Sequence, residues 1–264
     1  MTNATGAAAR TIRRSARFVA WVRAWRAGLI PYDDVAEVIE ETEDHLICDA
    51  DHAGHERPLR DGLAELSGLH PDQVRLVLPV PGDPRGLPGP GTAFTGEALA
   101  AGEGVVAGAA GLVPEVRTHV SGSGDAFLTV VWWRHRLPEP VPRDGAPTPT
   151  PAEAEAELST ALAEATTQLT VLDVAQWRPE LAGALAALRR QDDSGELPPV
   201  FNPRARRLYA RASLLDRVLA LAGDLAPGGA LTSYEAQQRD AALRPLLTAC
   251  RHALVAACNA PVDA

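Results

Sequence analysis

Up to about residue 137 the apolar positions alternate between steps of three or four and steps of two; beyond residue 150 only the helical step persists. Phe18, Val22 and Trp25, widened by Val19 and Trp21, predict a helix over about Thr11 to Ala27, and Gly28 supplies its stop. Pro31 opens a second helix, Tyr32 to Thr42, with Val35, Val38 and Ile39 on one face. A short apolar run, Leu46 to Cys48, predicts a strand over 45–50. A helix over 58–67 (Leu59, Leu63, Leu66) and a strand over 74–80 then complete a βαβ unit with two parallel strands and a right-handed crossover. A short helix over Thr95 to Ala101 and a strand over Gly104 to Ala109 follow. Arg117 to Ser121 and Phe127 to His135 form an antiparallel hairpin across the turn GSGD. In its second arm Thr129, Val131 and Trp133 face one way and Val130, Trp132 and Arg134 the other. Both faces are largely apolar, so helices are expected to cover the sheet on both sides.

The Pro-dense stretch LPEPVPRDGAPTPTP separates this region from a purely helical one. Thr150-Pro151-Ala152-Glu153 is a capping box with Pro at the first helical position, followed by Leu158, Leu162, Ala165, Leu169 and Leu172 at helical spacing. Further helices begin near Pro179, after Asn202-Pro203, and at the second capping box, Thr232 to Glu235, the last containing Pro245. The fold class is therefore α+β: a mixed α/β sheet layer followed by a C-terminal four-helix bundle. The expected organisation is a disordered N-terminus over 1–10, helices plus sheet over 11–137, a linker over 138–150 and an all-α domain over 151–260.

Composition changes this picture by exclusion. With 264 residues, 46% hydrophobic and 22% charged, the chain is long enough for one large or two small domains. A net charge of -9 gives no global basic field, which argues against nucleic acid as a partner. All 25 basic residues are Arg. Without lysine there is no P-loop, no Schiff-base cofactor chemistry and no kinase strand lysine. Three cysteines, Cys48, Cys250 and Cys258, make no disulfide framework and read as buried thiols of a reducing compartment. Cys250 and Cys258 lie roughly 12 Å apart along one helix, too far to bridge. Arg23 and Arg26 interrupt the apolar run of the first helix, which argues against a secretory signal, and no stretch is long enough to span a bilayer. That Arg/Trp helix suits an anionic surface by itself. However, Asp33, Asp34, Glu37, Glu40, Glu41, Glu43 and Asp44 follow at once, so the expectation is that the two charged segments pair with each other.

Three places carry candidate chemistry. The loop PGDPRGLPGPG follows the second predicted strand, and in open α/β sheets ligands bind beyond the carboxyl ends of strands. Asp83 and Arg85 there, with Trp132 or Trp133 as an apolar wall, are the candidate ligand-binding residues. Five prolines without N–H groups make the loop a poor phosphate cradle, so a rigid structural turn is the favoured reading. His45, Cys48, His52 and His55 would share a face if helical and form a candidate metal site; read as strand plus loop, they would not. His119 and His135 could approach across the hairpin, the ordinary reading being two satisfied strand histidines. His252 has no Glu-x-x-His partner for a di-metal centre.

At PGDPRGLPGPG followed by EALAAGEGVV, and again at WRPELAGALAALR, the chain resembles a family of hypothetical proteins from high-GC actinobacteria, over much of residues 18–258. The resemblance implies a cytoplasmic bacterial protein and lends no catalytic residue and no cofactor. The leading functional reading is a non-catalytic intracellular interaction or regulatory module, with a protein partner or a second copy of the chain as its target, and with neither nucleic acid nor membrane. The alternatives are a small-molecule binder or enzyme with its site at 81–91, and a zinc protein using the His/Cys cluster.

Overall fold

The computed structural model describes residues 13–52, 54–122, 124–138, 148–171, 197–224 and 233–262. The chain divides into two compact units, one built on residues 13–148 and the other on 149–197 and 203–260, with 198–202 grouped with the first.

The first unit opens with helices α1 (Arg14–Arg26) and α2 (Tyr32–Glu40). It continues with strands β1 (Asp44–Asp49) and β2 (Arg57–Pro58), helix α3 (Leu59–Glu65) and strand β3 (Val74–Val77). Helix α4 (Ala93–Ala101) and strands β4 (Gly104–Ala107), β5 (Ala110–Val120) and β6 (Ala126–Arg136) complete it. The six strands form one sheet in the order β2-β1-β6-β5-β4-β3. The hairpin is present and longer than the sequence pattern predicts, pairing Ala110 with Arg136 through Val120 with Ala126.

The predicted βαβ unit is not what forms. The parallel partner of β1 is β6, in register from Asp44 opposite Thr129 to Asp49 opposite Arg134. From β6, the antiparallel steps to β5, β4 and β3 leave β3 running opposite to β1, at the far edge of the sheet. The physical reason is that the long hairpin supplies a complete apolar strand to the open side of β1, and the two residues of β2 take the other side. The carboxyl end of β3 consequently lies at the opposite end of the sheet from that of β1.

Helices cover both faces. Phe18 of α1 packs on Trp132 with ring centroids 4.7 Å apart, and Gly62 of α3 sits against Ile47, the register partner of Trp132. On the other face α4 inserts Phe94 over Gly111, and Val77, Ala98, Val106, Val113 and Leu137 join that cluster. Thr92 caps α4 by accepting from the Thr95 N–H, and Gly102 ends it in the left-handed conformation at φ 73°.

Two arginines of α1 meet the acidic run that follows, as its charge predicts. Arg14 pairs with Glu43 and Arg17 with Glu41. Fully buried Arg23 donates to the carbonyls of Pro71 and Val74 at 3.0 and 3.1 Å, and Arg26 donates to that of Leu69. No described helix is long and apolar enough to cross a membrane.

The second unit holds helices α5 (Pro151–Val171), α6 (Pro203–Asp224) and α7 (Ser233–Cys258), which pack against one another. The first predicted capping box forms: the Thr150 N–H donates to Glu153 at 2.8 Å and Thr150 Oγ1 accepts from the Glu153 N–H. The buried positions of α5 are Ala154, Leu158, Ala161 and Ala165, so alanine shares the core with leucine. Pro245 lies within α7. The helix predicted near Pro179, the sequence WRPELAGALAALR and Thr232 lie outside the described residues, as do residues 1–10 and most of the 138–150 linker.

Candidate functional site

A cavity of about 430 Å³ opens at the carboxyl end of the parallel pair β1 and β6. Its floor is the sheet face bearing Ile47, Ala107, Ala110 and Leu112. Phe18 of α1 and Leu59 and Gly62 of α3 form one wall, and Leu66 and Leu69, in the turn leaving α3, form another. The lining is apolar in its depth because strand alternation sends Ile47, Trp132 and Leu112 to the face that α1 and α3 cover.

Charge collects at the mouth. Asp49 and Arg134 are register partners at the last position of the β1/β6 ladder, so their side chains leave the same face. Arg134 donates to both carboxylate oxygens of Asp49, Nη2 to Oδ2 at 2.9 Å, and through Nη1 to Glu65 of α3. The hydrogen bonds from Arg134 hold the Asp49 carboxyl below its ordinary range despite partial burial. Asp51 and His52, in a single 3-10 turn after β1, and Arg136, the last residue of β6, complete the rim. Asp51 and Arg136 are exposed and, among the described residues, neither forms an ion pair or a side-chain hydrogen bond.

The residues singled out by sequence fall elsewhere or do not converge. Asp83 and Arg85 pair with each other at 2.7 Å in the loop after β3, and the cavity lining includes no residue of 81–91. That loop is a folded turn. Val80 and Asp83 exchange backbone hydrogen bonds across Gly82 at φ 88°, and Thr95 Oγ1 donates to the Pro88 carbonyl at 3.2 Å. Trp132 and Trp133 face opposite sides of the sheet: Trp132 is fully buried, whereas Trp133 donates from Nε1 to Glu115 at 2.6 Å. Neither indole is among the residues lining the cavity.

The four candidate metal ligands adopt the strand-plus-loop arrangement. His45 and Cys48 are three apart on β1 and point to opposite faces. Trp132 Nε1 donates to His45 Nδ1 at 3.1 Å, and His45 Nε2 faces Glu43 at 3.3 Å, which fixes the Nε2–H tautomer and occupies both ring nitrogens. Burial raises the Glu43 carboxyl, but hydrogen bonds from His45 and Arg14 outweigh it and bring the pKa down to about 2. His52 stands at the cavity mouth and His55 in the exposed loop beyond. Among the described residues, no group of three or more His, Cys, Asp or Glu is placed to hold a metal ion.

His119 stacks on Phe127 with ring centroids 4.9 Å apart at one end of the hairpin, while His135 bonds Glu97 at 2.9 Å near the other, so the two imidazoles do not meet. In the second unit His252 pairs with Glu157 at 2.9 Å, and burial, reinforced by Asp216, pushes the Cys250 thiol up to about 12. A thiol so far from ionisation is core packing rather than a nucleophile.

Sequence reasoning missed Asp49, Asp51, Arg134 and Arg136. A signal existed: Asp49 and Asp51, and Arg134 and Arg136, are charges at alternate positions ending two otherwise buried runs. Their meeting depends on the β1/β6 register, which no local pattern encodes.

Two family models match the chain: residues 15–147 match the N-terminal domain of the Rv1486c-like protein, and residues 152–255 match its C-terminal domain. The chain is 30% identical to the uncharacterized protein Rv1486c of Mycobacterium tuberculosis, over 91% of its own length and 94% of that protein. It is 26% identical to the uncharacterized protein ML1804 of Mycobacterium leprae with the same coverage, and 33% identical to MAV321 of Mycobacterium avium over 73% of each chain. These relatives are actinobacterial, in line with the resemblance read at the Pro/Gly loop. No solved structure matches the chain.

Proposed function

The chain belongs to the Rv1486c-like protein family, and from that premise we propose that it is a non-catalytic regulatory module that binds a small molecule in the cavity at the ends of β1 and β6. The observation that carries this reading is an apolar cavity of about 430 Å³ with charged groups only at its mouth. Its volume is of the order small-molecule sites have, and it occupies the end of a parallel strand pair where open sheets favour ligands. The lining offers no hydroxyl or thiol nucleophile among the described residues. Asp49 and Glu65 are both engaged by Arg134, and the other groups able to act as a base, Asp51 and His52, are exposed at the mouth. These features support binding over turnover.

The reading also takes the chain as two domains separated by the Pro-rich 138–150 segment, in a cytoplasmic setting. Support comes from the two family models meeting near that segment and from three buried cysteines that are all free thiols.

The test is thermal unfolding of the full chain with a panel of small apolar and amphipathic compounds, beside the variant Ala110→Leu, which fills the floor. A compound at a hundredfold excess over its Kd stabilises by about 2.7 kcal/mol. The expected result is a rise in Tm for the native chain that Ala110→Leu abolishes. No stabilising compound, or equal stabilisation of the variant, would sink the proposal.

A partner-binding reading is favoured by a separate observation: Val120 and Phe127, at the tip of the β5/β6 hairpin, are 70% and 48% exposed. Size-exclusion mass above that of the monomer, returned to monomer by Val120→Glu with Phe127→Glu, is its expected outcome. A monomer in both forms argues against self-association through the tip.

A further inference from the structure

We infer that the ligand of this cavity is a zwitterion: a small molecule with an apolar body and, at one end, both an ammonium and a carboxylate group, as in an apolar α-amino acid. The inference rests on the cavity being a ligand site and adds which chemistry it selects.

The rim supplies the argument. Three carboxylates, Asp49, Asp51 and Glu65, and two guanidinium groups, Arg134 and Arg136, stand around one opening. Arg134 is spent internally, held between Asp49 and Glu65. What remains for a visitor, beside the imidazole of His52, is one carboxylate and one guanidinium, Asp51 and Arg136, neither engaged by any described residue.

Both stand just past the last pair of the β1/β6 ladder. Asp49 lies opposite Arg134, and Asp51 and Arg136 each follow by two residues at the same end of the parallel pair. They form no ion pair with each other, and both are exposed on the rim of the same cavity. A ligand head carrying both charges in the opposite sense would satisfy both groups at once, ammonium on Asp51 and carboxylate on Arg136, while its side chain takes the space bounded by Phe18, Ile47, Leu59 and Leu112.

The charge balance disfavours the neighbouring classes. Arg57 on Glu65 at 3.1 Å brings the carboxylates and guanidinium groups into balance, so a phosphate or a dicarboxylate would pair with Arg136 and leave Asp51 facing its remaining negative charge. A purely apolar ligand would leave both free charges facing its exposed end unpaired.

The experiment uses the full chain and three probes with the same branched apolar body: L-leucine, 4-methylpentanoic acid without the ammonium, and isopentylamine without the carboxylate. Binding is followed by calorimetry and by displacement of the uncharged apolar dye N-phenyl-1-naphthylamine. The variants are Asp51→Asn and Arg136→Gln, both at exposed positions where folding is expected to be intact.

Leucine is expected to bind at least tenfold tighter than either single-charge analogue and to lose about tenfold in each variant. The acid should respond only to Arg136→Gln and the amine only to Asp51→Asn. The inference is overturned if the acid or the amine binds as tightly as leucine, or if leucine binds both variants as well as the native chain. Dye binding that Ala110→Leu abolishes, with no preference among the probes, would reject the zwitterion while leaving the cavity reading intact. Absence of both dye and probe binding would reject the two together.

Discussion

Two glycines set how closely helices approach the sheet. A Cβ at Gly111 would come within 2.4 to 2.7 Å of three carbons of the Phe94 ring, and one at Gly62 within 2.5 Å of Ile47 Cδ1. Neither contact can be tolerated without a shift of the neighbour. Gly111→Ala is therefore expected to destabilise by about 3 kcal/mol through overpacking. In chemical denaturation the pair Gly111→Ala with Phe94→Leu should be more stable than the two separate losses predict. Strict additivity would show that the ring is not what Gly111 accommodates. Glu103 makes a different residue-level case. It accepts from the Ser15 N–H at 2.8 Å, and burial raises its carboxyl above the ordinary range although Arg13 opposes this. A raised folded pKa means that stability is fullest below the unfolded value and is lost as pH rises through the folded one. Glu103→Gln, which keeps an acceptor, should accordingly gain stability at pH 7 relative to the native chain, with the difference vanishing below about pH 4. A loss at pH 7 would contradict this.

At the scale of elements, helix α1 shows how a charged surface becomes a fastening. Its sequence suits an anionic surface, yet Arg14, Arg17, Arg23 and Arg26 each bond within the unit. Arg23 carries the most, because its guanidinium satisfies the carbonyls of Pro71 and Val74 beside the start of β3. Arg23→Met keeps the stem but strands those carbonyls, so a loss of about 2 to 4 kcal/mol is expected in urea unfolding. An unchanged midpoint would mean that water replaces the guanidinium. The Pro/Gly loop folds back as a hydrogen-bonded turn. Thr95 tethers it, and Gly86 at φ 82° lets it pass close to Val77, where a Cβ would meet the side chain at 2.8 Å.

For the whole molecule, the clearest consequence is acid sensitivity. The Glu43 carboxyl joins the segment before β1 to Arg14 of α1 and to His45, and its pKa falls from an ordinary 4.5 to about 2. A depressed folded pKa contributes stability that is present above the unfolded value and lost as pH falls through the folded one. Glu43 alone is thus worth on the order of 3 kcal/mol at pH 7, disappearing between about pH 4.5 and 2. Asp49 and Glu115, also lowered, lose their contributions in the acid range as well. Glu43→Gln should be less stable at neutral pH and show a flatter acid limb. An acid limb as steep as that of the native chain would place the titrating group elsewhere.

Local signals along the chain specified most elements: the apolar faces of α1 and α2, the capping box at Thr150, the hairpin and its face alternation, and the turn at 81–91. Each rests on contacts within a few residues of chain, where helix period, strand period and proline chemistry act directly. Strand order was not legible. The same short apolar runs can pair in several ways, and the choice of β6 over β3 as the parallel neighbour of β1 is made by contacts some 85 residues apart in sequence, such as Arg134 on Asp49. The candidate site followed from that choice. By sequence, the rule placing ligands beyond strand ends points to β3, whose end the tertiary structure turns away from the cavity; the parallel pair it describes is β1 with β6. The sequence by itself determined the elements and the balance of charge, because those are local and additive. Only the tertiary structure decided which strand ends, and hence which carboxylates and arginines, surround one cavity, because that depends on register between distant segments.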